Sequence, residues 1–235
     1  MLIVFFYTGC SNSKVSTAWQ NTQRASYVAV TDPVTWGSAL GAVALYATYD
    51  DDITEHYMEN NLFDSEIDER LRKINNLTMY VTALTVSNDT NVKRGQRLAT
   101  NFAGAAVARR TTTTLNKIIK KDIPSGDDNY AIGSHHALDP FAKSALTRRN
   151  VSDMTAPLWL KYSINSLSYI SASGSAFSRI QEGGHSFADQ LVSVSIGNFV
   201  GLFFYELFLV DGSNLQSIHT SLVDHKLLVS TTWTF

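Results

Sequence analysis

The segment SRIQEGGHSFAD, residues 178 to 189, sets Ser178, Arg179, His185 and Asp189 at offsets that let a cation, an imidazole and a carboxylate converge on one small anionic group. Phosphate suits that set. A histidine followed four residues later by an aspartate predicts both side chains on one helix face. There the carboxylate orients the ring and raises the basicity of its free nitrogen, which is how a nucleophilic imidazole is prepared. A second cluster lies upstream in IPSGDDNYAIGSHHALD, residues 123 to 139. Ser134 and His136 follow Gly133 at an expected helix N-terminus, where unpaired backbone amides favour an anion. His135 and His136 with Asp139 form a lesser, metal-binding alternative, which neither an HExxH nor a cysteine-rich pattern supports. No metal or cofactor is expected.

Helices must position these residues. Thr31 or Asp32 followed by Pro33 marks a helix start, with Asp50 to Asp52 as its end. Residues 64 to 87 carry Ile67, Leu71, Ile74 and Leu77 at spacings of three and four, an amphipathic pattern. A small-residue core helix is expected from Val92 to Lys121, then helices over His136 to Arg149, Leu158 to Ala172 and His185 to Val210. Only KLLVSTTWTF at the end alternates like a strand. The acidic residues between Asp50 and Glu69 read as a solvated surface.

The chain has 235 residues, 44% of them hydrophobic and 17% charged, which suits one globular domain. A net charge of −2 argues against nucleic acid as a partner. The apolar run 191 to 210 is long enough to span a bilayer, but the polar groups just before it favour a buried central helix. The single cysteine, Cys10, excludes an internal disulfide and follows an apolar run in MLIVFFYTGCSNS. That stretch resembles the lipobox of bacterial lipoproteins, with two departures: Tyr7 stands where leucine is usual, and no basic residue precedes the run, so a start upstream of Met1 is expected. Lipidation at Cys10 would anchor the protein in a bacterial envelope, facing the periplasm and most naturally in the outer membrane.

Together the two clusters resemble the type 2 phosphatidic acid phosphatase family, which shares its fold with class A acid phosphatases and vanadium haloperoxidases. The family's motifs are KxxxxxxRP, PSGH and SRxxxxxHxxxD. The third is complete in Ser178, Arg179, His185 and Asp189; the second appears as GSHH, with Gly133 for proline and His135 for glycine. The first has Asn116 for lysine and Ile123 for arginine, leaving Lys120, one turn on, as the expected stand-in cation beside Lys117. The resemblance implies an all-α bundle with a short β-like C-terminal tail, divided as residues 1–30 (signal remnant and linker), 31–215 (phosphatase-like domain) and 216–235 (tail). It implies a phosphatase acting on a phosphomonoester or lipid phosphate through phosphorylated His185. Asp189 would orient that ring, and His136 would act as acid and base. Arg179, Ser134, His135 and Lys120 would hold phosphoryl oxygens. The two missing cations also fit a second expectation, a catalytically impaired member serving as an envelope binding or scaffolding lipoprotein.

Overall fold

The structure, a computed structural model, describes residues 12–48, 50–58, 65–87, 89–119, 121–122, 124–125, 132–210, 214–223 and 226–234. Among these, eight helices follow in chain order: α1 (Asn12–Thr31), α2 (Pro33–Tyr46), α3 (Asp50–Met58), α4 (Ser65–Thr85), α5 (Asn91–Ile118), α6 (His135–Asp153), α7 (Leu158–Gln181) and α8 (Phe187–Phe208). The fold is all-α, with a C-terminal antiparallel hairpin of β1 (Asn214–Val223) and β2 (Lys226–Thr234) in which Val223 pairs with Lys226 and Leu215 with Trp233. The alternating tail is therefore half of a hairpin whose first strand carries no comparable alternation.

α8 is the axis. It is long and apolar enough to cross a membrane, yet α1, α2, α5 and α6 pack around it and bury Ala188, Val194, Leu202 and Tyr205. α6 approaches closest at Gly197, where an added Cβ would overlap the carbonyl of Leu138, and one turn on Gly201 meets Ala142 in the same way. Only glycine admits that contact.

Several elements differ from expectation. Residues 12–31 form a helix where a linker was expected, because Ala25 and Ala29, four apart, are fully buried and α1 packs on α8. A 55° bend separates α1 from α2 at Asp32, whose carboxylate accepts the Val34 amide at 3.1 Å while Pro33 opens α2. The acidic run from Asp50 begins α3 rather than merely ending α2, as suits carboxylates near a helix N-terminus. α7 continues nine residues beyond Ala172 to Gln181.

The pattern in residues 64–87 gives a helix but the wrong inner face. Ile67, Ile74 and Leu77 are exposed, whereas Asp68, Asn75, Met79 and Thr82 are buried. The reason is the serine-rich seam that faces them. Asn75 donates to Ser144 Oγ at 2.9 Å and to the Ser168 carbonyl at 3.0 Å, joining α4, α6 and α7 through hydrogen bonds instead of apolar packing.

Far from the two sequence clusters, Arg97 of α5 is 1% exposed and forms its own network. It reaches Asp89 at 2.9 Å, Tyr205 at 2.6 Å, Asp153 at 3.1 Å and Asn150 at 3.2 Å.

Candidate active site

The α7–α8 junction carries the third motif. α7 ends with Gly183 at φ +68°, a left-handed conformation suited to glycine, and the Gly183 and Gly184 amides return to the carbonyls of Ile180 and Arg179 at 3.0 Å each. Ser186 then caps α8: its hydroxyl accepts the Asp189 amide at 3.3 Å, and Asp189 Oδ2 accepts the Ser186 amide at 3.1 Å. His185 thus stands before the cap, outside the helix. The expectation that His185 and Asp189 share one helix face is corrected here, because the capping box starts α8 two residues after the histidine.

Asp189 is fully buried and its other oxygen is also engaged. Oδ1 accepts the Tyr46 hydroxyl and the Lys121 ammonium, the latter at 3.0 Å. Lys121 also donates to Ser186 Oγ at 3.0 Å, lies 3.6 Å from Asp50 and sits 4.4 Å above the Tyr46 ring. Burial, and then the hydrogen bond to Asp189, push the Tyr46 phenol well above its ordinary range. Asp50 in turn accepts the Ala188 amide at 2.8 Å, and Thr54 accepts that of Phe187 at 3.1 Å. α3 therefore pins the first turn of α8, and with it the position of His185.

The second motif lies at the start of α6. Ser134 is the N-cap by position, but its side chain does not cap; the hydroxyl is buried with no hydrogen-bond partner among the described residues. Its amide donates at 2.9 Å to Ser193, which donates to the Asp189 carbonyl at 2.9 Å, tying the α6 start to α8. Asn116, which the resemblance sets at the lysine of the first motif, holds the preceding glycine from both sides: its Oδ1 accepts the Gly133 amide at 2.8 Å and its Nδ2 donates to the Gly133 carbonyl at 3.0 Å.

His136 turns toward α4, where its Nδ1 lies 2.8 Å from Asp68 Oδ2. Asp68 is 4% exposed, and it also accepts Ser175 Oγ at 2.5 Å and Arg72 Nε at 3.2 Å. Burial holds His136 below the usual histidine pKa; Asp68 opposes this, while the charges of Arg179 and Arg72 add to it. His135 points elsewhere. It is exposed beside Arg109 and Asp139, and among the described residues no three His, Cys, Asp or Glu side chains gather as a metal set.

Arg179 pairs with Glu182 and its guanidinium lies against Gly184, one residue from the buried His185. Ser178 is buried and bonds back to the Ser175 carbonyl at 2.9 Å, so its hydroxyl serves α7. Among the expected cations, Lys117 is exposed, and Lys120, like Ile123 and Cys10, lies outside the described residues. Sequence reasoning gave no site role to Lys121, Arg72, Asp68 or Tyr46. Asp68 was hidden by its acidic neighbours, although its spacing to Asn75, Met79 and Thr82 traces the inner face of α4.

An apolar groove of about 900 Å³ opens between α2, α7 and α8. Val34, Phe141, Tyr169 and Ile170 line one part, and Ile180 and Phe187 bring it to the α7–α8 junction. No family model, curated protein or solved structure matches the chain.

Proposed function

We propose that the chain is a phosphatase of the type 2 phosphatidic acid phosphatase kind, acting on a phosphomonoester, with lipid phosphates as the favoured class. The observation that carries the reading is the Arg179 guanidinium lying against Gly184, next to the buried His185, with its charge also acting on His136 at the α6 start. The Ser134 hydroxyl, two residues before His136 and buried without a hydrogen-bond partner among the described residues, supports a phosphoryl oxygen there. The groove that reaches Ile180 and Phe187 supports a substrate with a hydrocarbon tail.

In this mechanism a nitrogen of His185 attacks phosphorus. A P–N bond forms as the ester P–O bond breaks, and His136 gives its proton to the departing oxygen. Water then attacks phosphorus, His136 takes its proton, and inorganic phosphate leaves with His185 restored. Arg179 and the Ser134 hydroxyl stabilise charge on the phosphoryl oxygens, and removing such a donor costs on the order of 3 kcal/mol. The purified protein is expected to release inorganic phosphate from an aryl phosphate in the presence of a chelator, and His185→Ala to lose that release; release unchanged in the variant contradicts the mechanism.

A second reading, an impaired member serving as an envelope binding or scaffolding protein, is favoured by two observations. Asn116 spends its amide on Gly133, and Lys121 on Asp189. In either reading the proposed location is the periplasmic side of a bacterial envelope, anchored through Cys10. The exposed Trp19, Trp36 and Trp159 are consistent with a nearby lipid surface.

A further inference from the structure

The His136–Asp68 pair has no counterpart in the family resemblance, which gives the orienting carboxylate to Asp189 and the ring it serves to His185. In this chain both Asp189 oxygens are taken by Ser186, Tyr46 and Lys121. The carboxylate that meets His136 comes from α4, an element outside all three motifs.

We propose that Asp68 is a positioning residue of the site: it accepts the Nδ1 proton of His136 and leaves Nε2 as the nitrogen that exchanges protons with substrate and water. The inference rests on the phosphatase reading. A carboxylate only accepts, so a 2.8 Å contact to Nδ1 fixes the proton on that nitrogen. Asp68 is itself fixed, by Ser175 at 2.5 Å and Arg72 at 3.2 Å, and is nearly excluded from water. The charged groups that act on His136 are Asp68 and Arg72 from α4 and Arg179 from α7. Asp68 alone among them favours the imidazolium, the form that can protonate a leaving oxygen. Asp189, by contrast, is a strut that fastens α2 and Lys121 to the start of α8.

The test combines nitrogen-15 NMR of the substrate-free full chain with the pH profile of kcat/KM, for wild type and Asp68→Asn. The wild type is expected to hold neutral His136 in the Nδ1–H form. In Asp68→Asn, with helix content unchanged by circular dichroism, the His136 pKa falls and the alkaline limb of kcat/KM moves to lower pH. Turnover falls about a hundredfold, the scale of a general acid's contribution, and Asp68→Glu recovers part of it. An Nε2–H wild type, or a His136 pKa unmoved in Asp68→Asn, overturns the proposal. A wild type with the stated tautomer and shift that releases no phosphate upholds the pair and contradicts the phosphatase reading.

Discussion

In the phosphatase reading, His136 would decide the pH at which the site works. Burial together with the neighbouring guanidinium charges outweighs Asp68 and lowers its pKa from the ordinary 6.5. The protonated ring needed for the leaving group is therefore lost as pH rises through that lowered value. The profile of kcat/KM, which reports the free enzyme, should fall on its alkaline side below pH 6.5, and His136→Gln should lack that limb. A limb at or above pH 7 in the wild type contradicts the assignment. Asn116 gives a second residue-scale prediction. Asn116→Lys restores the family's residue but removes both bonds to Gly133, so phosphate release should fall. A severalfold gain in that variant favours the impaired-member reading. The sequence displayed Arg179, His185 and Asp189 because their motif is local. It hid Asp68 and Lys121, whose roles depend on helices distant in the chain.

Among the elements, α8 and α6 must approach closely for the two motifs to meet. Gly197→Ala forces a Cβ against the Leu138 carbonyl. It should cost at least about 2 kcal/mol, the middle of the range for overpacking, read as a lower midpoint in urea; an unchanged midpoint contradicts the packing. Arg97 joins α5 to α6 through its ion pair with Asp153 and to α8 through a hydrogen bond to the Tyr205 hydroxyl. Arg97→Ala takes from the buried Asp89 its close partner, leaving Lys93 at 4.0 Å, and should destabilise the fold by roughly 3–5 kcal/mol without selectively changing the pH profile of whatever active protein remains. Helix existence was legible from the cap in α2, periodicity in α4 and small residues in α5. The inner face of α4 was not, because its seam is built of Asn75 and serines that a hydrophobic pattern does not register. α1 was likewise hidden, since its buried face is alanine.

On the scale of the whole molecule, the proposed reading has the groove and a lipid anchor at Cys10 decide what the site would meet. Ser173 lines the groove from α7 and is exposed. Ser173→Trp should raise KM for a long-chain alkyl phosphate about tenfold, a difference of ~1.4 kcal/mol, and leave KM for a small aryl phosphate unchanged. Equal effects on both substrates contradict a tail in the groove. Cys10→Ser should release the protein from the membrane fraction of a bacterial host; retention there contradicts lipid anchoring. The all-α architecture was legible from the helix signals along the chain and from the resemblance, whereas the groove arises only where α2, α7 and α8 stand apart and leaves no local pattern in the sequence. The most direct measurement of the central claim is rapid-quench mass spectrometry of the protein turning over a phosphomonoester. The account predicts one acid-labile phosphoryl group on His185, absent from His185→Ala. Turnover with the phosphoryl group on another residue, or with no phosphorylated histidine, contradicts it.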